Sequence, residues 1–117
     1  MSKSNGETVS VRIIPNEKGS PSGKLADAEV IFGVDAGPMN GLKLLGFAIW
    51  ERRSGTGRNV TFPSRTYSVN GERRSFSLLR PQGDANSQEA IRQVVLDAYS
   101  RFEAQEAEST VAATRSA

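Results

Sequence analysis

FPSRTYSVNGERRSFSLLRP, residues 62–81, carries four arginines, one tyrosine, two phenylalanines and a single acidic residue, Glu72. Its centre, Asn70-Gly71, is a strong hairpin signal. A two-residue type I′ turn needs positive φ at both central positions, which asparagine and glycine tolerate best. That turn fixes the pairing by counting outward. Val69 faces Glu72, Ser68 faces Arg73, Tyr67 faces Arg74, and Arg65 faces Phe76. Facing residues share a side of the sheet, so Arg65, Tyr67, Arg74 and Phe76 fall on one side, with Arg80 at the same parity further along. The other side takes Val60, Phe62 and Leu79 with serines and a threonine between them, a pattern that suits a packed or half-packed face. Pro63 cannot donate a ladder hydrogen bond, which limits its strand to an edge or a bulge. A bulge there would swap the faces beyond it.

Outward from the hairpin, the chain reads as strands and then one helix. Thr8 to Ile14 alternates and is rich in β-branched residues, and Pro15 closes it. Asn16 to Gly23 is turn material. Lys24 to Phe32 alternates again and pairs antiparallel with the first strand. Leu42 to Arg52 is the most apolar stretch and reads as a central strand, with Gly46 marking a bulge or a close backbone approach. Residues 58–69 and 72–80 are the two arms of the hairpin. Asn86 caps a helix, with Glu89 three residues on as its capping-box partner. Ile91, Val94, Val95, Ala98, Tyr99 and Phe102 recur at helical spacing and form one apolar stripe. The expected fold is α+β: an antiparallel sheet of about five strands with a C-terminal helix packed on one face. It forms a single domain over residues 8–105. Residues 1–7 are expected to be flexible and residues 106–117 to be a disordered polar tail.

The 117 residues include no cysteine and no histidine. That removes disulfides, thiolate metal sites and the commonest catalytic base and metal ligand. No segment is long and apolar enough to span a bilayer, and the N-terminus lacks the apolar core of a signal peptide. A cytoplasmic protein is the simplest expectation. The net charge of +2 hides an asymmetry. Residues 1–41 carry −1, residues 42–83 carry +6 and residues 84–117 carry −3. Positive charge gathered in one region points to a polyanionic partner.

Guanidinium groups beside aromatic rings suit nucleic acid. Arginine forks match phosphate oxygens two at a time. An exposed ring on a sheet can stack an unpaired base. The expected contact residues are Arg65, Tyr67, Arg73, Arg74 and Arg80 on the hairpin, with Arg52, Arg53 and Arg58 around the preceding loop. Exposed aromatics on an open sheet favour single-stranded DNA or RNA over a groove. The competing reading is a protein-interaction module that binds an acidic partner through the hairpin or an added strand. Arginine stems that merely cover apolar neighbours are the structural alternative. No catalytic residues, cofactor or metal are expected. GSPSGKL (19–25) has a phosphate-loop look but is one residue short, lacks the hydroxyl after lysine and precedes a strand. Asp27, Glu29 and Asp35 read as solvated carboxylates, and Ser64 has no visible general base.

The order of these elements resembles the stage V sporulation protein G (SpoVG) family. VSVRIIP, GKLADAEVIF, LKLLGFAIWE, FPSRTYSVNGERRSFSLLRP and IRQVVLDAYSRF carry the likeness, across roughly residues 9–102. The Phe62-Pro63-Ser64-Arg65 element is the most specific piece. The resemblance implies a small bacterial cytoplasmic regulator that binds DNA, and in some cases RNA, as a homodimer built through its strands. It places Arg65 at the basic position of the Pro-Ser-Arg/Lys element, and Arg73 and Arg74 after the turn glycine. The 33–41 loop is longer than that pattern, Trp50-Glu51-Arg52-Arg53 is unusual, and the acidic segment beyond 103 is extra.

Overall fold

Gly46 and Pro63 organise the architecture. Gly46 lies in the third strand at φ +108°, in the region that L side chains avoid, and the strand carries one extra residue there. A Cβ at Gly46 would lie 2.9 Å from the Pro63 Cβ. The bulge and the close approach expected from sequence are therefore one feature, with the glycine leaving room for the proline ring.

The computed structural model describes residues 8–52 and 57–116, with helix side chains described as far as Glu108. The expected flexible segment 1–7 and Arg53 lie outside the described residues. The order of strands is β1 (Val9–Pro15), β2 (Lys24–Phe32), β3 (Lys43–Glu51), β4 (Arg58–Thr61), β5 (Ser64–Val69) and β6 (Glu72–Ser77), followed by α1 (Ser87–Ser116). A short 3-10 turn, Val34–Met39, fills the β2–β3 connection. The fold is α+β, with a four-stranded antiparallel sheet in the order β1-β2-β3-β4 and a separate two-stranded ribbon, β5-β6.

This corrects the single five-stranded sheet. The stretch 58–69 is two strands, because Phe62-Pro63 breaks the ladder where Pro63 has no N–H to give. Both residues turn inward: Pro63 is buried, and the Phe62 ring packs 5.1 Å from Phe47. They anchor the root of the ribbon in the core, and the ribbon beyond them pairs with no strand of the sheet.

The core lies between one sheet face and the helix. Ala26, Ala28 and Val30 of β2, Phe47 and Ile49 of β3, and Val60 of β4 are buried with Val95, Ala98 and Tyr99 of α1. The helical stripe read from sequence is this contact, and Ile91, Val94 and Phe102 complete it. The helix packs most closely on the two outer strands, β1 and β4. On the far face of the sheet, Trp50 Nε1 donates to Thr61 Oγ1 at 2.9 Å.

Helix α1 begins at Ser87, directly after Asn86, the cap position expected from sequence, and the Asn86 carbonyl accepts from the Glu89 N–H at 3.0 Å. Asp84 braces the approach: its Oδ1 accepts from the Asn86 N–H at 3.0 Å, and its carbonyl accepts from the Ser87 N–H. The far end differs from expectation: the backbone stays helical to Ser116, through the segment expected to be a disordered tail. Alanine and glutamate recur there and favour helix, and extending a helix already nucleated costs less than starting one.

Candidate nucleic-acid interface

The ribbon forms as its turn dictates. Asn70 sits at φ 51° and Gly71 at φ 83°, the left-handed pair that a type I′ turn demands. The register is the one counted from sequence: Val69↔Glu72, Ser68↔Arg73, Tyr67↔Arg74 and Arg65↔Phe76, closing at Ser64↔Ser77. The Leu78 N–H donates to the Pro63 carbonyl at 2.8 Å and seals the root.

One face presents Arg65, Tyr67, Val69, Glu72, Arg74 and Phe76. The other presents Ser64, Thr66, Ser68, Arg73, Ser75 and Ser77. Every one of these residues except Ser77 is exposed. This corrects the packed second face: Val60 and Phe62 belong to the sheet core, and neither face of the ribbon is covered. Tyr67 and Phe76 remain 42% and 39% exposed, yet their rings meet edge to face with centroids 5.7 Å apart. The pair occupies part of the surface that a base would stack on.

The arginines separate into distinct environments. Arg65 and Arg73 carry no ion pair among the described residues. Arg74 meets Glu72 at 3.0 Å, but both side chains stand mostly in water, where such a pair holds weakly and yields to a stronger anion. Arg80 lies beyond the end of β6 and leaves the ribbon face that parity gave it. The Leu79 carbonyl accepts from Gln88 Nε2 at 2.7 Å and from Ser77 Oγ at 3.0 Å, which ties this segment to the first turn of α1. Arg80 there borders an open hollow of about 300 Å³ over Leu79, Pro81 and Ile91, and it too has no ion pair among the described residues.

Arg58 is turned to a different use. Its Nη2 donates to Glu103 at 2.7 Å, and the guanidinium lies 5.7 Å from the centre of the Tyr99 ring. Its Nε is buried without an acceptor among the described residues. The Glu103 hydrogen bond, against the opposing effect of burial, lifts the Arg58 pKa further above its ordinary value. Arg58 thus fastens β4 to the helix and is withdrawn from the predicted contact set. Arg52 Nε donates to the Arg58 carbonyl at 3.2 Å, so that backbone contact orients its exposed guanidinium without neutralising it.

The same cluster makes a pH prediction. Burial, reinforced by the Glu103 carboxylate, raises the Tyr99 phenol above its ordinary value near 10, with Arg58 opposing. A raised pKa in the fold means a stabilising contribution present below about pH 10 and lost as pH climbs toward the folded value. Denaturant midpoints should therefore fall above about pH 10, and Tyr99→Phe should flatten that fall. An equal decline in the variant would put its cause elsewhere.

Two of the three carboxylates weighed in the sequence pair with lysines. Asp27 meets Lys24 at 2.6 Å, and Glu29 meets Lys43 at 3.2 Å. Among the described residues no group of three acidic side chains is placed to hold a metal. No helix among them is long and apolar enough to cross a membrane. The hydroxyl-bearing face was missed as a surface. Its period-two alternation was present in the sequence, but uncharged serines give no signal until both faces of the strand pair are known to be open. Comparisons with protein-family models, curated proteins and solved structures find no match to this chain.

Proposed function

We propose that this protein is a non-catalytic nucleic-acid-binding regulator of the SpoVG kind, acting in the cytoplasm, with the β5-β6 ribbon as its contact element. One observation carries the reading: the ribbon is separate from the sheet and exposed on both faces, with Arg65 and Arg73 on opposite faces lacking an ion pair among the described residues and Arg74 meeting an exposed glutamate. Such groups have no structural task that water does not serve equally well. Phosphates would take them up and release condensed counterions. Arg80 at the ribbon's exit and Arg52 beside the adjoining loop extend the positive surface.

A homodimer belongs to this proposal. The outer strands of the sheet, β1 and β4, each leave one edge unpaired among the described residues. Pairing with a second copy along such an edge would leave both ribbons free and bring two arginine groups into one assembly, raising affinity through effective concentration. The protein-interaction reading draws on the same edges and on Tyr67, Val69, Phe76 and Leu78, all substantially exposed.

Titration of a labelled oligonucleotide at several salt concentrations separates the two. Phosphate binding by Arg65, Arg73, Arg74 and Arg80 gives a plot of log K against log salt with a slope of about −3 to −4 per chain. A flat slope, or no binding beside capture of an acidic polypeptide, would favour the interaction module.

A further inference from the structure

Beyond binding nucleic acid in general, the ribbon's shape selects a form of it. We propose that β5-β6 enters the major groove of duplex DNA and turns its hydroxyl face, with Arg73, toward the base edges. This rests on the nucleic-acid reading above and specifies its ligand.

The dimensions agree. The B-form major groove is about 12 Å wide and 8.5 Å deep and admits a two-stranded ribbon. Paired strands lie about 4.8 Å apart, and six residues extend about 20 Å. At about 3.4 Å per step that length spans about six base pairs. The ribbon is separate from the sheet, and among the described residues none covers either of its faces.

The two faces differ in what they can do inside a groove. Ser64, Thr66, Ser68 and Ser75 are short, so the backbone can approach the floor closely, and each hydroxyl both donates and accepts. Serine and threonine therefore read either kind of base edge, while an arginine among them matches the paired acceptors of guanine. Arg73 is the arginine in that position, facing Ser68 across the ribbon. Arg65 and Arg74, on the opposite face, have stems long enough to reach the phosphate rims. The outer edges of β5 and β6 bring further backbone N–H groups toward the groove walls.

The aromatic pair argues against an unpaired ligand. Non-specific single-strand binders need rings free to stack successive bases. Tyr67 and Phe76 are the ribbon's only two rings, and they pack edge to face on each other. Duplex RNA is excluded by shape, because its major groove is too deep and narrow for side chains to read.

The test uses the full chain at low salt with four labelled ligands of one mixed sequence: duplex DNA, its single strand, duplex RNA, and duplex DNA whose cytosines carry glucosylated hydroxymethyl groups that fill the major groove. A minor-groove-binding drug serves as competitor. The expected result is duplex DNA bound about tenfold more tightly than the other three ligands, with the drug without effect. Equal binding of the glucosylated duplex, preference for the single strand or RNA, or displacement by the drug overturns groove entry and leaves the broader reading standing. No binding to any of the four overturns both.

Discussion

Replacing Arg65, Arg73 and Arg74 together by alanine should weaken oligonucleotide binding by about a hundredfold or more and reduce the salt slope by about three units. The melting temperature should stay within about 3 °C of the parent, because all three residues are exposed and, among the described residues, their only ion pair is the exposed one to Glu72. Arg58→Ala is the opposing control. It strips Glu103 of its partner and Tyr99 of its cation, so it should lower the melting temperature while leaving affinity within about twofold. Anisotropy titrations and circular-dichroism melts on the two variants read both quantities. If the triple variant melts well below the parent, the ribbon arginines are structural and the polyanion reading fails.

Gly46→Ala should destabilise the fold by about 3 kcal/mol and lower the melting temperature by about 10 °C or more. Two effects add. The added Cβ strains a backbone at φ +108°, and it arrives 2.9 Å from the Pro63 Cβ. Pro63 cannot retreat cheaply, because it is buried at the ribbon's root beside Phe62, whose ring packs on Phe47. The substitution therefore reaches the interface indirectly, by loosening the point from which the ribbon projects. Gly71→Ala, at a similarly positive φ but with open space around it, isolates the backbone effect and should cost clearly less. Equal losses in the two variants would show that the Pro63 contact is unimportant.

These predictions rest on features of unequal legibility. The hairpin register was readable to the residue, because a two-residue turn with positive φ at both centres admits one pairing. The helix stripe from Ile91 to Phe102 was readable for a similar reason: period 3.6 leaves one face for the core. The place of Arg58 was not readable. Its partner, Glu103, lies 45 residues further along the chain, and no local pattern announces an encounter made by packing β4 against α1. The start of the helix, by contrast, was readable, because asparagine before the apolar stripe marks a cap and the helix begins at the next residue, Ser87.

Sequence alone determined the local elements: alternation made the strands, Asn70-Gly71 made the turn, and apolar periodicity made the helix. Those outcomes depend on backbone preferences within a few residues of each site. Tertiary structure decided which arginines remain free and whether the hairpin joins the sheet. Both depend on what occupies the space around a side chain. The Pro63 ring seated against Gly46 separates the ribbon from the sheet, and the fold's own carboxylate, Glu103, claims Arg58 while Arg65 and Arg73 stay open to solvent.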